Sequence, residues 1–256
     1  MLKVLCCFVA GAIAGIGTGF VGLSAAAPIS PILVTFLGIP AYQAIGIGLS
    51  SDVLASGVSA YIYKKNDNVD VKRALPLLIS VILMTMVGSY VASLLPDRAM
   101  GSASQVMMIF LGLKFILKPI NNTKEAMVNE DEKKRIIKAI AGGILVGFIC
   151  GFVGAGGGIM LLFVLTSLLG YEMHMAVGTS VFIMAFTALT GSLSHFAIEP
   201  VEDIASLILC VLFTFIWARI ASKIANKLDN KTLNRIVGII LIISSAIILT
   251  VNLLLK

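Results

Sequence analysis

Residues 19–22 read Gly-Phe-Val-Gly, and so do residues 151–154. The match continues at the same spacing. Gly11, Gly15, Leu33, Gly38, Ala44, Gly46, Val69, Leu75 and Leu77 recur 132 residues on as Gly143, Gly147, Leu165, Gly170, Ala176, Gly178, Val201, Leu207 and Leu209, with no gap. A fixed internal period means that one structural unit is used twice, so only folds built from two related halves are open to this chain. The first segment, Met1–Gly15, imitates a signal peptide, with Lys3 ahead of an apolar run. Because it has a counterpart late in the chain, where no leader can stand, it is expected to be retained.

The two halves are apolar almost throughout. Of 256 residues, 59% are hydrophobic and 12% charged, against about 45–50% and about 25% in a soluble domain. That excess excludes a soluble globular domain, a disordered chain and a coiled coil, and leaves a polytopic membrane protein. The net charge of +6 does not point to nucleic acid, since the Lys and Arg residues sit mainly in short loops, where they set membrane orientation. Cys6, Cys7, Cys150 and Cys210 lie inside apolar runs and read as small buried hydrophobes, without the spacing of a metal site or a disulfide framework.

Each half is predicted to hold the same helices. The first has Leu2–Gly22, a short piece Ala25–Leu37, and spans near Ala41–Tyr63, Ala74–Leu95 and Ser102–Leu117; the second has Ile136–Gly154, a short piece Ile159–Leu169, and spans near Met173–Phe196, Ile204–Ile220 and Ile236–Leu255. The short pieces are too short to cross a bilayer, which takes about 20 residues. Each follows a Gly-rich break, so each pair reads as a broken, re-entrant hairpin. The chain thus divides into a first membrane repeat (1–120), a polar cytoplasmic linker (121–138) and a second membrane repeat (139–256).

Loop charges orient these spans. Lys64, Lys65, Lys72 and Arg73 make the 63–73 loop basic, as Lys133, Lys134 and Arg135 do for the linker and Arg219, Lys223, Lys227, Lys231 and Arg235 for the loop near 218–235. All three are expected in the cytoplasm. The 196–204 loop carries Glu199, Glu202 and Asp203 and no Lys or Arg, which places it outside, together with both termini. Equivalent loops of the two halves therefore carry opposite charge, and the repeat is expected to be inverted. The fold class is an all-α polytopic membrane protein of two inverted repeats, each a broken re-entrant hairpin plus three transmembrane helices, an architecture used by secondary transporters.

The breaks are the candidate substrate site. Gly151, Gly154, Gly156, Gly157 and Gly158 fall within eight residues, a composition costly in a helix interior. Broken backbone at membrane depth must be buried in protein or line a cavity. A helix starting after the break presents free N–H groups and a partial positive charge, which suit an anion. Gly19, Gly22 and Ser24, followed by Pro28 and Pro31, repeat the design. The candidate substrate-binding residues are Gly19, Gly22, Ser24, Gly154, Gly156, Gly157, Gly158, Thr179 and Ser180. The competing reading is that the small residues serve close helix packing and that the hydroxyls bond their own helix.

Asp52 stands in mid-span, on one face with Gly48, Ser56 and Ser59. An intramembrane carboxylate is a functional candidate by default, and proton coupling is its expected role; the alternative is a neutral side chain hydrogen-bonded between helices. Glu172-Met173-His174-Met175 reads as interfacial anchoring in preference to a soft-metal cluster, Lys114 as a snorkelling cation, and His195 as interfacial. No His-Glu-x-x-His, Walker-type or Gly-x-Ser-x-Gly sequence occurs, so no cofactor, no metal and no enzymatic activity is expected.

Gly19-Phe-Val-Gly22 with Pro28 and Pro31, and Gly151-Phe-Val-Gly-Ala-Gly-Gly-Gly158, each followed by Ala44-Ile-Gly46 or Ala176-Val-Gly-Thr-Ser180, resemble the TauE/SafE family of sulfite and organosulfonate exporters. The resemblance covers nearly the whole chain. Two departures stand out: Ser24-Ala-Ala-Ala27 replaces a richer glycine run, and Asp52 stands where an apolar or hydroxyl residue is expected. The family implies a cell-membrane transporter of a small sulfur-containing anion or related carboxylate, with the lipid bilayer, that anion and protons as its partners. An anion channel and a non-transporting scaffold remain the alternatives.

Overall fold

In the hydrocarbon core no water is available to satisfy backbone groups, so apolar segments of this length close their hydrogen bonds within themselves as helices. The computed structural model describes residues 1–93, 113, 117, 132–153 and 157–254. Its elements are α1 (Leu2–Val21), α2 (Ala26–Leu37), α3 (Ala41–Lys65), α4 (Val71–Ser93), α5 (Glu132–Val153), α6 (Gly157–Phe163), α7 (Met173–Ile198), α8 (Ile204–Ala225) and α9 (Asn230–Leu254). A π-helical turn, Val164–Leu168, continues α6. The chain is all-helical among the described residues, as expected.

Among the described residues, five helices are long and apolar enough to cross a membrane: α1, α3, α4 (over Val71–Gly88), α7 and α8. The pieces Ala26–Leu37 and Gly157–Leu168 are shorter, close to the short pieces expected at 25–37 and 159–169. Apart from residues 113 and 117, the expected span Ser102–Leu117, with Lys114, lies outside the described residues, as do linker residues 121–131. Residues 132–138 form the first two turns of α5.

The first break is built by glycine. Gly22 ends α1 at φ 70, its N–H reaching back to the Thr18 carbonyl and the next N–H, of Leu23, to that of Gly17; a residue with a Cβ is strained in this left-handed conformation. The Thr18 hydroxyl donates to the carbonyls of Ala14 (2.9 Å) and Leu23 (2.8 Å), tying the break to the last turns of α1. Gly38, at φ 64, closes α2 in the same way.

Packing then fixes direction. Gly11 and Gly15 lie against the backbone at Thr214 and Ala218 of α8, and Gly19 against Ala218 and Ser222. Positions rise together on both helices, so α1 and α8 run parallel. Gly143 and Gly147 lie against Leu77 and Val81 of α4, so α4 and α5 are parallel as well. Contacts between α3 and α7 run the other way: Gly46 meets Phe196, Leu49 meets Gly191, and Tyr63 meets Gly178. The main contact of each half's first helix is thus with the other half.

One end of this bundle gathers Lys3, Glu199, Glu202 and Asp203; the other gathers Lys64, Lys65, Lys72, Arg73, Arg135, Lys223 and Lys227. At the first end Lys3 pairs with Asp203 at 2.8 Å, and the Gln43 amide donates to Glu199 Oε1 at 2.9 Å. Partial burial pushes the Asp203 carboxyl up, but the Lys3 ammonium and the Ser206 N–H and hydroxyl outweigh it and hold the group below its usual range.

The closest crossings are the most sensitive to size. A Cβ on Gly15 stands 2.7 Å from both the Ala218 nitrogen and Trp217 Cβ, whereas one on Gly57 meets nothing within 4 Å. Gly15→Val is expected to destabilise the fold by about 1–3 kcal/mol or more through overpacking. Gly57→Ala should be neutral or stabilising by about 0.5–1 kcal/mol. Thermal unfolding of the purified variants in detergent measures both.

Candidate functional site

A single cavity brings the two breaks together. It is lined by Ser24 beside the first break, Leu49 and Asp52 of α3, Thr85 of α4, Cys150 and Gly151 of α5, Gly157 and Gly158 of α6, and Met184, Thr187, Ala188, Gly191 and His195 of α7. Its volume is about 30 Å³, room for about two waters.

Asp52 is the charged group on the wall. It is 1% exposed and accepts a hydrogen bond from the Ser56 hydroxyl at 2.7 Å. Ser24 and the Ala25 backbone N–H lie beside it. Ala25 is the N-cap of α2 and has no capping side-chain hydrogen bond. The carboxyl of α3 thus stands near the end of α2 where a negative charge is stabilised.

The other predicted residues distribute unevenly. Ser24, Gly157 and Gly158 line the cavity with Asp52. Gly22 sits just behind: a Cβ on Gly158 would run into the Gly22 carbonyl and stand 2.6 Å from Met184 Sδ. Ser180 touches the Cα side of Gly22 while its hydroxyl donates to Val177 O at 2.8 Å. Gly19 is placed in the α1–α8 crossing, its carbonyl accepting from the Tyr63 hydroxyl at 3.0 Å. Thr179 lies away from the cavity and accepts from the Asp70 N–H at 3.1 Å. Gly154 and Gly156 lie outside the described residues.

Two histidines differ from expectation. His195 is 9% exposed, lines the cavity, stacks on Tyr42 at 4.4 Å between ring centroids, and donates from Nδ1 to Gly191 O at 3.0 Å. It is a bundle residue rather than an interfacial one. His174 is also buried, bonded to Asn230 Oδ1 at 2.7 Å and Ala225 O at 3.2 Å; it staples α7 to the α8–α9 turn instead of anchoring to the interface. Among the described residues no three His, Cys, Asp or Glu side chains converge on a metal site.

The α7 wall was legible in the repeat. Asp52, Ala55, Ser56, Ser59 and Tyr63 share one face of α3. Shifted by 132, they become Met184, Thr187, Ala188, Gly191 and His195, all five of which line the cavity. The hydroxyls of Thr85 and Thr187 donate to their own helices, at Val81 O (2.7 Å) and Ile183 O (2.9 Å), leaving oxygen lone pairs, not protons, toward the cavity.

Comparison with known proteins places this arrangement. The family profile described as Sulfite exporter TauE/SafE matches residues 7–248. The chain is 28% identical over 198 residues to "Probable membrane transporter protein YunE" of Bacillus subtilis, covering 72% of each chain. It is 27% identical over 189 residues to a "Probable membrane transporter protein" of Methanocaldococcus jannaschii, covering 72% of this chain and 67% of that one. A further Bacillus subtilis protein of that description, YdhB, is 48% identical over 52 residues, 20% of this chain and 21% of its own.

The second break depends on fit between two small side chains. A Cβ on Gly157 would run into Cys150 Sγ, with Cys150 Cβ at 3.3 Å. Gly157→Ala is expected to lower the melting temperature by several degrees. Cys150→Ala alone should be mild, and the double variant should recover most of the loss. Absence of recovery in the double variant would mean that backbone freedom, not space, is what position 157 requires.

Proposed function

The chain belongs to the sulfite exporter TauE/SafE family, and on that footing we propose that it is a secondary transporter exporting a small anion, sulfite, a sulfonate or a related organic anion, bound between the two helix breaks. It is a multi-pass membrane transporter by family and by its five apolar spans; the substrate, its site and its coupling are the proposal. One observation carries it: a central cavity walled by both breaks and by the paired helices α3 and α7.

The inverted-repeat reading draws support from helix direction. α3 and its 132-shifted counterpart α7 are antiparallel, and the partners α1–α8 and α4–α5 exchange under the same shift. Such a pair of halves can rock about the site and open it to either side in turn. The division into repeats 1–120 and 139–256 joined by a cytoplasmic linker at 121–138 belongs to the same proposal.

Asp52 gives this site a coupling device. While charged, it occupies the positive end of α2 and repels an anion from the cavity it lines. Protonation removes that charge and leaves the α2 start to be balanced by the substrate. Proton and anion then load together and cross in the same direction, so net export follows when the outward anion gradient exceeds the inward proton gradient. A purely structural Asp52 is favoured by its burial and its bond from Ser56, and the two roles are separable.

Proteoliposomes loaded with sulfite, methanesulfonate or acetate test the function. Saturable flux of the sulfur anions, accelerated by a pH gradient, is expected. Flux that rises linearly with concentration and ignores the gradient indicates a channel. In Asp52→Asn, which keeps shape and hydrogen bonding, anion exchange should persist while the pH dependence disappears. An unchanged pH profile rules out coupling through this residue. Asp52→Leu strands the buried Ser56 hydroxyl and is expected to cost about 1–3 kcal/mol, visible as poorer recovery of folded protein.

Topology is tested by thiol labelling in a background with the four native cysteines replaced. Val201→Cys should react with a membrane-impermeant maleimide from outside, and Asn66→Cys only after permeabilisation. Reaction of both from one side defeats the inverted arrangement.

A further inference from the structure

A second concavity lies at the basic end of the bundle, between the end of α3 and the last turns of α8. It has a volume of about 550 Å³ and is lined by Lys65, Arg219, Lys223, Asn66 and the apolar Val58, Tyr61 and Ile62. We propose that this groove binds an anionic phospholipid, its phosphate among Lys65, Arg219 and Lys223 and its acyl chains along the α3–α8 surface.

Charge, depth and rim each point to that ligand. Arg219 and Lys223 stand one turn apart on α8, and Lys65 closes α3 beside them. All three are exposed, and none has an acidic partner among the described residues; the ion pairs there are Lys3–Asp203, Arg73–Asp70 and Arg135–Glu132. Three cations around one groove repel each other, most of all where the local dielectric is low. Arg219 lies six residues before the end of α8, about 9 Å along the axis, at the level of lipid phosphates rather than bulk solvent. A free phosphate would have to shed water to reach it, whereas a headgroup already sits there. The surface below is lipid-facing: Tyr61 is 68% exposed, and Leu54, Ile216 and Ile220 are exposed too. An aromatic ring at the headgroup level with aliphatic side chains beneath it fits a phospholipid and not a soluble anion. The Asn66 amide, bonded to Ile62 O at 2.7 Å, holds the turn that forms the groove's upper edge.

The test is native mass spectrometry of the full chain released from micelles holding equal amounts of phosphatidylglycerol and phosphatidylcholine. The wild-type chain should retain phosphatidylglycerol in preference, and Lys65→Gln, Arg219→Gln and Lys223→Gln should each weaken retention about fivefold, with the triple variant showing no preference. Lys134→Gln, at the same end but outside the groove, should behave as wild type. Thermal unfolding verifies that these surface variants are folded, and the single variants carry the test if the triple one is not. Undiminished preference in the charge variants overturns the site. So does displacement of phosphatidylglycerol by millimolar inorganic phosphate, which would make the groove a soluble-anion site. Neither result bears on the central cavity or its substrate.

Discussion

A helix interrupted inside a membrane leaves N–H groups with no water to take them, and the arrangement of this protein depends on how that need is met. At the first break it is met within α1 itself: the Gly22 and Leu23 N–H groups return to the carbonyls of Thr18 and Gly17, and the Thr18 hydroxyl takes up Leu23 O. Asp52 of α3 lies beside Ser24 and the Ala25 N–H at the start of α2. Gly48 lets α3 approach until a Cβ there would be 2.5 Å from Ala26 Cα. Gly22 in turn can sit beside Ser180 of α7 only because it has no side chain. The hairpin, the central helices and the cavity between them therefore share one set of constraints.

The two halves do not meet those constraints alike. The position of Asp52 is held in the second half by Met184, and that of Ser24 by Gly156. On the cavity wall Asp52 of α3 and Met184 of α7, equivalent by the 132-residue shift, are an acid and a thioether, so the two halves furnish the cavity with different chemistry. A matched pair of carboxylates would set two like charges in one small space.

Much of this was legible in residue order, and the exceptions have physical reasons. The 132-residue register and the length of the apolar runs gave α1 to α4 to within about three residues and α5 to α9 to within about six, because helix in a bilayer follows from hydropathy. Asp52 was found because a charge in mid-span is conspicuous. What composition hid was the division of labour among glycines. Gly19 and Gly157 look equivalent in sequence, yet one lies in a helix crossing and the other on the cavity wall; the difference is which partner helix arrives, a tertiary fact. His195 was misjudged because its place near a span end suggests the interface, while Tyr42 and Gly191 draw it inward. The stripe it belongs to was available by shifting the α3 face through the repeat.

The parallel pairing of α1 with α8, and of α4 with α5, has a consequence for how the chain is made. When α1 leaves the ribosome its partner is some two hundred residues from being synthesised. Its glycine stripe must wait in lipid, facing no helix, until the second half arrives, and α4 waits for α5 in the same way. The halves close around each other like clasped hands, so neither is a folding unit, and the order of translation leaves the first half dependent on the completion of the second. Long-range closure of this kind slows folding and makes insertion of α8 the step at which the protein commits to its final form.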